Sequence, residues 1–152
     1  VFLGSARGKS IRFHESDVRP TGRVTAGVRG MRIAADDRIV GMEVLSHGQT
    51  LFAVSEHGFG KRTSIDEYPV QKRGGKGVIT IKTNARNGQV VDILLVREED
   101  DLMLITNSGK LIRMAIDGIS VIGRNTQGVK LIEISADERV IGVARLEEKE
   151  ED

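Results

Sequence analysis

The apolar positions of this chain fall in short runs separated by glycine and polar corners, and they do not follow the spacing of an amphipathic helix. Leu102-Met103-Leu104-Ile105-Thr106 is one such run. It turns at Asn107-Ser108-Gly109, where glycine supplies a positive φ, and Lys110-Leu111-Ile112-Arg113-Met114 returns as the second arm of a hairpin. An irregular stretch follows, then an alternating segment over 128–134, a polar corner at 135–138 and a last strand over 139–146. The same order is written twice before: strands over 1–5, 10–13, 27–33 and 39–45, and again over 50–55, 60–64, 77–83 and 89–96. Helical periodicity is confined to about one turn around Asp117 to Val121 and its equivalents. Abundant Val and Ile with Gly at the corners predict an all-β chain.

The three passes share a register. Hairpin glycines stand at 8, 58 and 109, Gly-Val pairs begin at 27, 77 and 128, and an arginine lies four residues before each pair, at 23, 73 and 124. Each series steps by 50 and then by 51 residues. Four short antiparallel strands per unit at this period predict propeller-like blades, each sheet burying a face against the next. The expected units are blades at 1–45, 46–96 and 97–146, followed by a tail at 147–152.

Composition narrows the functional classes. The chain has 152 residues, no Cys, no Trp and three scattered histidines (His14, His47, His57), which excludes a disulfide framework, a zinc ribbon and a cysteine protease. Cys-free composition is compatible with a reducing cytoplasm. No stretch approaches the ~20 apolar residues of a membrane span, and the apolar start Val1-Phe2-Leu3 lacks secretory flanks, so no membrane partner is expected. Gly4-Ser5-Ala6-Arg7-Gly8-Lys9-Ser10 departs from a Walker A loop: its first glycine is one residue too close and a strand, not a helix, follows. Tyr68 reads as a packing residue and Glu98-Glu99-Asp100-Asp101 as a solvated loop. Nothing assembles a nucleophile, a base and an orienting group, so no catalytic residue, metal site or cofactor is expected.

Charge points elsewhere. The formal net charge is +1, but Glu147-Glu148-Lys149-Glu150-Glu151-Asp152 contributes −4, which leaves +5 on residues 1–146. A basic body with an acidic end predicts a polyanion-binding surface and an internal competitor for it. The loops between second and third strands carry Arg19, Arg23 and Arg29, then Lys72, Arg73 and Lys76, then Arg124 and Lys130. The hairpins add Arg7, Lys9 and Arg12, then Lys61 and Arg62, then Lys110 and Arg113. A charge that recurs once per blade would form a positive stripe along one rim, suited to a phosphate backbone and to bending a duplex without reading its sequence. Glycines beside the charges, as in Gly74-Gly75-Lys76-Gly77, let main-chain N–H groups approach an anion.

At Gln71-Lys72-Arg73-Gly74-Gly75-Lys76-Gly77 the sequence resembles the seven-residue basic box of the DNA gyrase A C-terminal domain family. The resemblance extends over nearly the whole chain, through Gly60-Lys61-Arg62-Thr63, Glu67-Tyr68-Pro69, Arg86-Asn87-Gly88, 25–32 and 122–129, and the acidic end resembles the family's acidic tail. It implies a β-pinwheel, a six-bladed propeller variant whose blades exchange strands, with three blades present here and an open blade edge at Val1. It implies a function too: wrapping double-stranded DNA to support ATP-dependent negative supercoiling by a type II topoisomerase. The implied partners are duplex DNA, the remainder of the gyrase A polypeptide, and the gyrase B polypeptide in an A2B2 assembly in the bacterial cytoplasm, with ATP and Mg2+ bound elsewhere. In the family the box usually lies in the first blade, whereas 71–77 falls in the penultimate unit, so it is either the box or a repeat-derived cousin of a box upstream. The corresponding domain of topoisomerase IV resembles this chain with fewer blades and a degenerate box, and a kelch-like interaction propeller would show Trp and Tyr in every blade.

Overall fold

In the computed structural model, which describes residues 1–45 and 50–146, the chain is all-β. The strands in chain order are β1 (Phe2–Ser5), β2 (Lys9–Phe13), β3 (Ile39–Glu43), β4 (Thr50–Ser55), β5 (Phe59–Ser64), β6 (Val70–Gln71), β7 (Val78–Ile79), β8 (Val90–Val96), β9 (Asp101–Thr106), β10 (Leu111–Ala115), β11 (Val129–Lys130) and β12 (Val140–Leu146). Helical structure among the described residues is limited to 3-10 turns at Glu15–Asp17, Ile65–Glu67 and Ile116–Gly118. No helix among them is long and apolar enough to cross a membrane. His47 and the acidic tail at 147–152, with its expected competition for the basic rim, lie outside the described residues.

Three sheets form, in the orders β3-β1-β2-β6 with β7 also on β2, β8-β4-β5-β11, and β12-β9-β10. The hairpins are the expected ones, and glycines 8, 58 and 109 turn them at φ of +87°, +82° and +87°. The third strand of the second and third units is exchanged, as the family resemblance implied and the period alone did not. It leaves its own unit and pairs antiparallel with the second strand of the unit before: Val78 and Ile79 lie against Ser10 and Lys9, and Val129 and Lys130 against Gly60 and Phe59. In the first unit 27–33 forms no strand. Among the described residues β10 pairs with β9 alone. The short β6 runs parallel to β2, a pairing the period did not announce.

The exchanged strand crosses very close to the strand that receives it. Gly77 and Gly128 hold φ of +74° and +77°, and a Cβ on them would lie 2.3 Å from the Ser10 carbonyl oxygen and 2.8 Å from that of Gly60. Beyond the crossing, Thr80 N–H donates to the Gly8 carbonyl (2.7 Å) and Leu131 N–H to that of Gly58 (2.8 Å). Val90 N–H then donates to the Ala6 carbonyl, and Val140 N–H to that of Glu56, both at 2.8 Å.

Burial follows from this stacking. On β4, Leu51 and Ala53 join a cluster with Phe2, Tyr68, Ile81, Ile93 and Leu95, while Phe52 and Val54 face Leu102, Leu104, Ile116 and Val140 on the other side. A strand buried on both faces reads as a continuous apolar run, which is why Leu51-Phe52-Ala53-Val54 does not alternate. Tyr68 is buried and meets Phe2 edge to face, centroids 5.3 Å apart. Of the acidic run expected to be solvated, Asp100 is buried and accepts from Arg97 N–H, Asp101 pairs with Arg113, and Glu98 with Arg62; the loop is folded back onto a hairpin and a neighbouring sheet.

The edge strands β3, β8 and β12 pack against one another. There burial pushes the Asp92 carboxyl up to about 6; the Ile93 N–H it accepts from opposes the shift, and nearby Glu43, which faces Arg145 at 3.9 Å, adds to it. The folded chain therefore binds this proton more tightly than the unfolded chain, whose value is 3.8. The sign follows: stability falls as pH rises from about 4 to about 6, and the cost persists above. Asp92→Asn is expected to raise the melting temperature at pH 7 and to flatten that window, as read from thermal melts between pH 4 and pH 8. At the crossing, Gly77→Ala combines left-handed strain with a backbone clash, whereas Gly27→Ala, at φ +74° with no atom within 4 Å, meets the strain alone. Urea titrations should show Gly27→Ala losing about 1 to 2 kcal/mol and Gly77→Ala at least about 2 kcal/mol more.

Candidate nucleic-acid interface

The repeated cations divide by what their side chains touch. On the second hairpin strand, Arg12 and Arg62 occupy one repeat position and reach forward into the next unit. Arg12 donates to the carbonyls of Ile65 and Tyr68, both at 3.2 Å; Arg62 Nε donates to Ile119 O at 2.8 Å, and its Nη1 pairs with Glu98 at 2.8 Å. On the arm, Arg73 and Arg124 occupy another and reach backward. Arg73 donates to the carbonyls of Asp17 (2.9 Å) and Arg29 (3.2 Å), and Arg124 to that of Ile79 (2.9 Å). Ile79 lies one period beyond Arg29, as Ile119 does beyond Tyr68, so the same two staples are made at both junctions.

Lys61 completes the second junction. Its ammonium donates to Gly123 O (2.6 Å), Arg124 O (2.5 Å) and Thr126 Oγ1 (3.0 Å), and burial lowers its pKa to about 8 although nearby Glu67 favours the charge. Lys61 and Arg62 are 0% and 4% exposed. The placement of these two on a DNA-facing rim is thereby corrected: both side chains are buried, with their donors committed to backbone carbonyls, the Thr126 hydroxyl and the Glu98 carboxylate. Arg12, Arg73 and Arg124 are half-buried in the same staple role. The terminal copies differ, since Arg113 pairs with Asp101 at 2.7 Å and Arg23 is exposed without a side-chain partner among the described residues.

The remaining cations of the expected stripe are exposed. Arg7 pairs with Asp36 (2.7 Å), Lys110 with Glu138 (3.3 Å) and Lys130 with Glu133 (3.4 Å). The Arg7–Asp36 pair, exposed on both sides, holds weakly and can exchange its carboxylate for a phosphate, whereas Lys130 also lies over the Phe59 ring and Glu138 is buried. Glu138 is the firmest of these carboxylates, kept below its ordinary pKa by hydrogen bonds from Ser108, Lys110 and Thr106. Lys9, Arg29, Lys72 and Lys76 have no side-chain partner among the described residues.

The 71–77 segment is a strap. Gln71 closes β6 beside Phe13, Arg73 fastens the turn to the first unit's loop, Gly74 N–H donates to Gly30 O (2.6 Å), and Gly75 O accepts from Arg32 N–H (2.8 Å). Gly74 at φ +84° and Gly77 at +74° make the corners that this path needs. Lys72 and Lys76 are left pointing outward from a fixed backbone.

Beside the strap lies a cleft of about 770 Å³ lined by Arg7, Lys9, Arg32, Lys76 and Lys82 over a floor that includes Ile33, Ile79 and Ile81, with Asp37 as its carboxylate. Arg32 and Lys82 were not among the cations expected from sequence, although they stand 50 residues apart at one repeat position. No group of His, Asp and Glu among the described residues could hold a metal ion.

A family model described as the DNA gyrase C-terminal domain, a β-propeller, matches residues 1–46, 49–97 and 100–147. The chain is similar to the DNA gyrase A subunit of Ureaplasma parvum, 46% identical over 95% of this chain and 17% of the relative, and to that of Escherichia coli, 46% identical over 97% of this chain and 17% of the relative. It thus spans about a sixth of the length of these relatives. A solved DNA gyrase A C-terminal domain superposes with a TM-score of 0.88 at 29% identity, over 95% of this chain and 50% of that one. A topoisomerase IV C-terminal domain superposes with a TM-score of 0.88 at 24% identity, over 96% and 46%, a likeness of fold.

The staple role of Lys61 has its own consequence. Lys61→Met would leave three acceptors without their donor, a loss only partly offset by relief of the buried charge. Chemical denaturation is expected to show a destabilisation of about 2 kcal/mol.

Proposed function

The chain belongs to the DNA gyrase C-terminal domain family, and on that premise we propose that it binds duplex DNA without sequence preference and bends it around the sheet array. The observation that carries this reading is the outward display of Lys9, Arg23, Arg29, Lys72 and Lys76, exposed and without side-chain partners, on a backbone strapped by glycine corners and arginine staples. Arg7 and Arg113 form a reserve that phosphate can recruit from weak surface pairs. Lysine and arginine contacts to phosphate position a duplex without reading it, and a rigid curved surface makes the DNA deform.

The units of this array are the repeats at 1–45, 46–96 and 97–146. In the larger protein the wrapped duplex would support ATP-dependent negative supercoiling by a type II topoisomerase, with the rest of the gyrase A polypeptide and the gyrase B polypeptide as partners in a bacterial cytoplasm. Nucleotide and Mg2+ chemistry would belong to those other parts. The intact Gly74-Gly75-Lys76-Gly77 favours gyrase over topoisomerase IV.

At least five phosphate contacts imply a slope of about −4.5 or steeper in log K against log salt, a loss of affinity of roughly 500-fold or more between 50 and 200 mM. Fluorescence anisotropy with duplexes of unrelated sequence should give that slope for each. Salt-insensitive binding, or none at 50 mM, would overturn the proposal.

A further inference from the structure

We infer that the cleft between the first and second units is the principal anchor for a DNA sugar-phosphate backbone, so that the duplex is gripped unequally along the array. This rests on the DNA-binding reading above and names where that contact is concentrated.

The two junctions are built alike but charged differently. Moving one period along the chain, Arg7 becomes His57, Lys9 becomes Phe59, Lys76 becomes Gln127 and Lys82 becomes Glu133. The corresponding cleft at the second junction, of about 330 Å³, is lined by His57, Phe59, Arg86, Lys130 and Glu138 among others. Its two cations lie over the Phe59 ring, Arg86 at 5.0 Å and Lys130 at 6.0 Å from the centroid, and Lys130 also pairs with Glu133. Its carboxylate is held by Lys110. That junction has settled its own charge.

The first junction has not. Lys9, Arg32, Lys76 and Lys82 have no side-chain partner among the described residues, and all four line one cleft. Each sits on a different, fixed piece of backbone: Lys9 on β2, Arg32 bonded through its N–H to Gly75 O, Lys76 on the strap, and Lys82 bonded through its N–H to Thr126 O at 2.8 Å. The scaffold, rather than mutual attraction, holds like charges together. Such a focus of positive potential attracts a polyanion.

The floor selects among polyanions. Ile33, Ile79 and Ile81 offer apolar surface beneath a cationic rim. A sugar-phosphate backbone matches both layers, deoxyribose edges against the floor and phosphates against the rim. A free polyphosphate would use the rim alone.

The test compares Arg32→Ala/Lys82→Ala with Arg86→Ala/Lys130→Ala by duplex binding, with circular dichroism confirming that both variants fold. Loss of two phosphate contacts should weaken binding roughly 60-fold at 0.1 M salt and flatten the salt slope by about 1.8. The second-junction variant should change affinity less than about fivefold, its cations being already occupied. Equal effects of the two variants, or no effect of the first while the unaltered chain binds, would overturn the inference and leave the DNA-binding reading standing. Failure of the unaltered chain to bind duplex at 50 mM salt would overturn that reading and the inference together. Calorimetric titration with inorganic tripolyphosphate separates the two sources of phosphate: binding abolished by Arg32→Ala/Lys82→Ala, with duplex affinity untouched, would overturn the assignment to DNA.

Discussion

The crossing of one repeat over the next is the constraint on which the rest of the structure depends. Each third strand passes over the second strand of the preceding unit so closely that the receiving carbonyl occupies the space of a Cβ, at 2.3 Å for Gly77 and 2.8 Å for Gly128. Glycine with positive φ is what permits that approach, and the crossing then fixes neighbouring sheets as one body. The arginine four residues earlier ties the same arm to the unit it has entered, through Arg29 O or Ile79 O. The Gly-Val pair and its arginine are thus two parts of one joint, which explains why they keep a constant spacing.

A cation that recurs once per repeat can therefore serve the joint or the surface, and periodicity alone does not separate the two. Arg12, Arg62, Arg73 and Arg124 recur because every joint needs the same carbonyls satisfied. Lys9, Lys76 and Lys82 do not persist as a trio of charges in the third unit: Lys110 stands at the first position, but Gln127 and Glu133 replace the other two. Lys9, Lys76 and Lys82 vary while the joint is kept and stay exposed to solvent, whereas Lys61, which also varies, is buried in its junction. The uniform positive stripe drawn from sequence gives way to a stapled frame with one strongly basic cleft.

The all-β class, the hairpins and their turn glycines were legible in the sequence because they depend on local chemistry: apolar runs of strand length and a Gly where φ must be positive. The strand exchange was not legible in the residues themselves, since the partner of 77–83 is set some 70 residues away, by Ser10 and Gly8. The family resemblance did imply it. The fate of Lys61 was hidden as well, because a lysine on a strand reads as solvated until three acceptors from residues 123–126 are brought around it. Arg32 and Lys82 were within reach, being one period apart, but their cleft exists only once two arms lie side by side.

A rigid joint also determines which partner must change shape. Sheets locked by backbone hydrogen bonds leave little freedom to follow a straight duplex, so in the proposed complex the curvature would come from the DNA. Smooth bending of 20 to 30 base pairs through 40° to 90° costs on the order of 1 to 6 kcal/mol. Evenly weak contacts would let the duplex peel away from whichever end bore the strain. The proposed anchor would change that balance: with one junction holding the backbone firmly, neighbouring contacts would act as an effectively intramolecular second set, each needing to supply only part of the bending energy. Lys72, on the strap beside the anchor, would be the first of that set.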